Sequence, residues 1–85
     1  MYKNVNIGRI VTFHRKKSRL TRIELSRISG VGKSTIFDLE KGKLTIQLDT
    51  LIKIFSVLNI NLKLESPLMK EFEKIEARKD VDEKS

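Results

Sequence analysis

The stretch Thr21–Lys43 contains two short helix signals joined by a glycine turn, and this spacing constrains the fold more than any other feature. It begins with Thr-Arg-Ile-Glu, the pattern of a capping box. In such a box the Thr21 hydroxyl accepts a hydrogen bond from the Glu24 N–H, and the Glu24 carboxylate accepts one from the Thr21 N–H. Gly30 and Gly42 each follow a helical stretch, where glycine adopts the left-handed backbone that ends a helix. The pattern predicts two short helices, over about residues 22–29 and 33–41.

Apolar residues recur at spacings of three and four in two other segments, which predicts amphipathic helices over residues 7–17 and 48–58. The predicted inward-facing residues are, in chain order, Ile7, Ile10, Val11, His14, Leu25, Ile28, Ile36, Leu39, Leu48, Leu51, Ile52, Phe55 and Leu58. Residues 60–65 alternate apolar and polar side chains, which is typical of a strand. We therefore expect an all-α fold: a compact four-helix domain over residues 1–66, including the one strand, and a charged tail over 67–85 that is partly disordered or helical.

The composition excludes several kinds of site. The 85 residues include no cysteine and one histidine, so we expect neither a disulfide framework nor a zinc site of a common type, and no cofactor. No apolar run approaches the roughly 20 residues that span a bilayer, and no signal peptide is visible at the N-terminus. We expect no membrane partner and a cytoplasmic, nucleoid-associated location.

The charge is concentrated in the predicted domain. Residues 1–67 contain 13 basic and 5 acidic side chains, a net of +8, whereas residues 68–85 contain 5 basic and 6 acidic side chains, a net of −1. A compact body with this excess of positive charge suits a polyanion such as nucleic acid. RNA is disfavoured because the four Phe and one Tyr form no visible stacking platform for single strands.

Two other functions fit the residues poorly. The run Gly30–Thr35 (GVGKST) is similar to the end of a phosphate-binding P-loop, but the glycine required five positions before Gly32 is Arg27, and a capped helix rather than a strand precedes the run. Catalysis is not expected either, because the single histidine, His14, has no cysteine or fixed acidic pair with which to act.

Two short helices with a glycine turn on a basic body predict a helix-turn-helix that places its second helix in the major groove of DNA. The chain resembles the Cro/C1-type (XRE) family of phage repressors and bacterial regulators in LTRIELSRISGVGKSTIFDLEKGK and the following TIQLDTLIKIFSVLNI. The resemblance covers about residues 7–60. The following INLKLESP resembles the HipB-type antitoxin branch of that family.

The resemblance implies roles for residues at matching positions. Lys33, Ser34, Phe37 and Asp38 are expected to read base edges: Lys33 suits guanine, Phe37 a thymine methyl group and Asp38 the cytosine amino group. Two alternatives remain open, namely that Lys33 is only a solvated surface lysine and that Phe37 packs against a neighbouring side chain. The residues expected to grip phosphates are Thr21, Arg22, Thr35 and Lys43. Arg15 and Glu40 match an ion pair of the family that joins the first helix to the third, and its expected role is to hold that third, DNA-reading helix in register.

The strand implies a partner. A single strand has no neighbour within a helical chain, and its unpaired backbone groups favour pairing with a second copy, so Ile60, Leu62 and Leu64 are expected to form a dimer contact. The HipB-type resemblance implies an autoregulating antitoxin, a homodimeric repressor of operator DNA that also binds a HipA-like kinase toxin. The alternatives are a protein-interaction module that mainly neutralises a partner enzyme, and a phage- or restriction-type regulator without a toxin.

Overall fold

A computed structural model describes residues 6–84, with side chains described as far as Arg78. The described residues form five α-helices and no strand. The helices are α1 (Ile7–Lys17), α2 (Arg22–Ser29), α3 (Lys33–Glu40), α4 (Leu48–Val57) and α5 (Met69–Lys84). The all-α prediction and the positions of the four helices of the domain are confirmed, and α5 lies in the tail, which was expected to be partly disordered or helical.

The capping box of α2 is formed. The Glu24 N–H donates to Thr21 Oγ1 over 3.0 Å, and the Thr21 N–H donates to Glu24 Oε1 over 2.8 Å. The hydrogen bond from the Thr21 N–H, followed by one from the Thr21 side chain, holds the pKa of the Glu24 carboxyl below its ordinary value. At the other end Gly30 has φ 77°, a left-handed conformation that releases the chain into the turn before α3.

The core lies between α1, α2, α3 and α4. Its buried apolar residues are Val11, Leu25, Val31, Ile36, Leu39, Leu51, Ile54, Phe55 and Leu58. Val31, within the turn, fills the space between α2 and α3, so a residue outside any helix contributes to the core.

Three residues predicted to face inward are exposed instead: Ile28 by 59%, Leu48 by 61% and Ile52 by 46%. In α4 the buried side chains are those of Leu51, Ile54 and Phe55. At about 100° per residue, positions 48 and 52 lie on the flank of that stripe rather than at its centre. The rotation of α4 is set by its packing against α2, which the apolar spacing alone did not reveal.

Gly8 allows α1 to approach α3 closely. A Cβ atom added there would overlap the backbone carbonyl oxygen of Leu39, so no larger residue fits without moving one of the two helices. The first turn of α1 thus lies against the end of α3, and Arg15, two turns further along α1, reaches Glu40 in the ion pair described below.

The described residues of the single chain contain no strand, and the predicted pairing of residues 60–65 across a dimer stays a prediction. Residues 61–66 are neither helix nor strand, and 61–65 have no backbone hydrogen bond to the rest of the described chain. Ile60, expected at the dimer contact, is half-buried against the core, whereas Leu62 and Leu64 are exposed by 52% and 70%. Ile60 therefore anchors this segment to its own domain.

None of the helices in the described range is both long and apolar enough to cross a bilayer. The same range contains no group of three or more His, Cys, Asp and Glu side chains arranged to bind a metal ion.

Candidate nucleic-acid interface

The outer face of α3 carries the residues predicted to read bases. Lys33, Ser34, Phe37 and Asp38 are all exposed, and their spacing places them on the first two turns of the helix. Gly32 provides no side-chain cap for α3. The first backbone N–H groups of the helix therefore point outward unblocked and give this end a partial positive charge.

The structure divides the predicted residues between two grooves. An open groove of about 620 Å³ is lined by Arg15, Thr21, Arg22, Ile23, Lys33, Ser34 and Phe37. A second, of about 160 Å³, is lined by Thr35, Asp38, Lys43, Thr45 and Ile46. Each groove combines at least one base-reading candidate from α3 with two candidate phosphate contacts, so potential phosphate-binding residues lie on both sides of the helix.

Glu40 joins three helices through its carboxylate. Arg15 of α1 donates from Nε to Glu40 Oε2 over 2.8 Å and from Nη2 to Oε1 over 3.1 Å, and Arg22 of α2 donates from Nε to Oε1 over 2.8 Å. Arg15 also donates from Nη1 to the Leu20 carbonyl over 2.9 Å. The ion pair expected between Arg15 and Glu40 is thus present, and Arg22 extends it to a triad.

Glu40 is the most deeply buried member of the triad. The side chain of Glu40 is 2% exposed and that of Arg15 8%, whereas that of Arg22 is 41% exposed. Burial by itself would raise the pKa of Glu40, but the hydrogen bonds from Arg15 and then Arg22 outweigh it and hold the pKa below its ordinary value. Glu40 is therefore ionised at neutral pH, with its charge balanced by two guanidinium groups.

Phe37 lies between two cations. The guanidinium carbon of Arg22 is 5.1 Å from the ring centroid, and the Lys41 Nζ is 4.3 Å from it. Both distances are in the range of cation–π attraction. Phe37 thus packs against two neighbouring side chains, and 40% of the residue remains exposed, so its contact with a base stays a prediction.

Sequence reasoning missed two of these contacts. Lys41 is four residues after Phe37, a helical spacing that brings side chains together, so a usable signal was present. The contact of Arg22 with Glu40 had no local signal, because it depends on how α2 crosses α3. Asp38 and Lys43 approach each other to 3.9 Å, but both are at least half exposed and solvent screens this pair.

Two eight-residue helices joined by a tight turn, with the second exposing a polar face at a groove, define a helix-turn-helix protein. Residues 14–64, more than half of the chain, match the Helix-turn-helix family, and the chain belongs to the Cro/C1-type (XRE) helix-turn-helix proteins. An uncharacterized HTH-type transcriptional regulator, y4mF, of Sinorhizobium fredii (strain NBRC 101917 / NGR234) is 34% identical over 62 residues, which are 73% of this chain and 82% of the relative.

Family membership establishes the general function. The chain is a DNA-binding transcriptional regulator and not an enzyme. The exposed face of α3 carries the candidate base contacts of this regulator.

Replacing Glu40 by Gln is expected to lower the free energy of unfolding at pH 7 by roughly 2–3 kcal/mol, because buried charge-assisted hydrogen bonds are lost. The lowered pKa of Glu40 in the folded state means that its stabilisation is present above the unfolded pKa of about 4.3 and disappears as the pH falls through the folded value. The difference between wild type and variant is therefore expected to shrink at acidic pH.

Urea unfolding at pH 7 and at a series of values down to pH 3 measures this difference. Glu76→Gln removes a carboxylate from the exposed surface of α5 and provides the matched control, with little expected change at either pH. An undiminished difference between Glu40→Gln and wild type at pH 3 would contradict the assignment.

Proposed function

We propose that the protein is a sequence-specific, homodimeric repressor of operator DNA, with α3 as the recognition helix. The observation that carries the proposal is the combination of an exposed, uncapped start of α3 with the buried Glu40 triad behind it. The major groove accepts one helix, and a reading helix must enter it at a fixed angle. In this assignment Lys33, Ser34, Phe37 and Asp38 contact base edges.

The phosphate contacts are assigned to Thr21, Arg22, Thr35 and Lys43. Arg22 uses only Nε for Glu40, so its terminal amino groups remain available to a phosphate while its orientation is already fixed. Phosphate contacts of this kind set the register of the protein on DNA but carry no sequence information. The net charge of +8 on residues 1–67 supplies the long-range attraction.

A second copy is proposed because one recognition helix reads only a half-site. Dimeric helix-turn-helix proteins place two such helices about one turn of DNA apart, on a palindromic operator. Residues 60–65 supply a contact: the backbone of 61–65 has no hydrogen bond to another described residue, and Leu62 and Leu64 are exposed. Lys63 and Glu65 approach each other to 3.7 Å, as alternate residues of an extended segment do when they share one face.

Within this function we favour the autoregulating antitoxin of a HipBA-like system, with a HipA-like kinase toxin as a further partner. Its support is the resemblance of INLKLESP to the HipB-type branch, together with the exposure of Leu62 and Leu64 in that segment. The protein-interaction module and the regulator without a toxin remain the alternatives. Co-expression with the product of any kinase-like gene beside its own tests this choice: a stable complex supports the antitoxin role, and no complex favours the regulator alone.

Lys33→Ala is expected to reduce discrimination at one base pair of the operator by about 1–3 kcal/mol, because a bidentate contact to guanine is lost. Lys43→Ala is expected to weaken binding to operator and unrelated DNA alike, and to reduce the slope of log K against log salt by about 1. Both lysines are exposed, so neither change disturbs the core.

Titration of each variant against operator and mismatched duplexes at several salt concentrations measures both effects, and the two variants control for each other. An equal loss of sequence preference in both would contradict the division between base-reading and phosphate contacts. Footprinting on the protein's own promoter supplies the operator.

Replacing Leu62 and Leu64 together by Lys is expected to convert the dimer to monomers at micromolar concentration, because apolar contacts across the paired segment give way to like charges. Sedimentation equilibrium measures the association state. Both side chains are exposed in the single chain, so the helical content is expected to be unchanged by circular dichroism. A dimer that survives this double change would contradict pairing through this segment.

A further inference from the structure

Helix α5 carries an apolar stripe that is exposed in the part of the chain that the structure describes. Leu68, immediately before the helix, and Phe72 and Ile75 within it are spaced as i, i+4 and i+7, which places them on one face. They are exposed by 68%, 56% and 54%. Three large apolar side chains aligned in this way mark an interaction surface rather than scattered surface residues.

The stripe faces away from the segment that precedes it. The side chains of α5 that line an open groove with residues 63–66 are Met69, Lys70 and Glu73. At about 100° per residue these positions lie on the side of the helix opposite the stripe. The groove therefore lies behind α5, and the apolar face is turned outward where another molecule can reach it.

We propose that the occupant is a second copy of this chain, whose α5 packs antiparallel against the first. The charged residues beside the stripe indicate that the two helices run antiparallel. Glu71 and Arg78 are seven residues apart, two turns along one flank of the stripe, so an antiparallel partner places each Glu71 beside Arg78 of the partner subunit. A parallel arrangement would instead place Glu71 beside Glu76 of the partner subunit and set two like-charged pairs at the contact.

The area supports a self-associating surface. The stripe leaves roughly 320 Å² of apolar side chain exposed per subunit, taking roughly 180 Å² for each large side chain. A standard interface buries about 800 Å² per partner, and about 65% of a homodimer interface is apolar. The stripe therefore supplies more than half of the apolar area of a standard homodimer interface.

The charge distribution also favours contact between two copies through the C-terminal end of the chain. Two bodies at +8 repel each other, whereas residues 68–85 have a net charge of −1. Contact through α5 consequently brings two copies together where repulsion is smallest and leaves α3 free for DNA. An antiparallel helix pair is two-fold symmetric, as a dimer on a palindromic operator must be. The inference rests on the homodimer of the proposed function and is tested separately from the contact through residues 60–65.

Sedimentation equilibrium of the full chain without DNA tests the surface. Phe72→Glu with Ile75→Glu is expected to weaken dimerisation at least tenfold, because two buried apolar contacts become charged. Leu48→Glu, which changes an equally exposed leucine on α4, is the matched control and is expected to leave the dimer intact. An unchanged dimer in the Phe72/Ile75 variant, or an equal loss in the control, would overturn the proposal.

Charge reversal tests the orientation. Glu71→Arg alone is expected to weaken the dimer severalfold by placing two arginines together, and adding Arg78→Glu is expected to restore it. In a parallel pair Glu71→Arg would strengthen the dimer, which would overturn the antiparallel arrangement. A wild-type chain that is monomeric at all concentrations would refute self-association through α5.

DNA binding provides a separate measurement. Failure of the inference leaves a dimer unaffected by the α5 changes, whatever its affinity for the operator. Failure of the proposed function leaves wild-type protein without preference for any footprinted sequence, even if the α5 variants dissociate as expected.

Discussion

The carboxylate of Glu40 connects the three helices on which the interface depends. It lies at the end of α3, accepts hydrogen bonds from Arg15 of α1 and Arg22 of α2, and is almost fully buried. Such a group contributes little net stability compared with apolar residues of similar volume, but losing a single partner leaves a buried charge uncompensated. Its effect is to permit only one relative arrangement of the three helices, which is what a recognition helix requires.

The same contact links stability to DNA binding. Arg22 is held by Glu40 on one side and by the ring of Phe37 on the other, so a candidate phosphate contact and a candidate base contact share one support. Gly8 contributes from a distance, because only a residue without a side chain lets α1 come close enough for Arg15 to reach Glu40. A change at any of these positions is therefore expected to alter the angle at which α3 enters the groove.

Local features of the fold were predictable from sequence, and long-range ones were not. The capping box at Thr21 and the left-handed turn at Gly30 depend only on neighbouring residues, and both form as predicted. The rotation of α4 depends on α2, so Leu48 and Ile52 were misassigned to the core. The alternation of residues 60–65 predicts a strand, but a strand needs a neighbour that the single chain lacks. At the nucleic-acid interface, the spacing of residues along α3 predicted its exposed face. The contact of Arg22 with Glu40 was not predictable in this way, because it depends on how the helices cross.

The central claim is that the Glu40 triad positions α3 for reading rather than merely stabilising the domain. Replacing Arg15 and Glu40 together by Met removes the buried charges while preserving volume, so the free energy of unfolding is expected to change little. The most direct measurement is the ratio of operator to non-specific DNA affinity in this variant, once circular dichroism has shown it to be folded. The account predicts that the ratio falls at least tenfold; a folded variant that retains the wild-type ratio would contradict it.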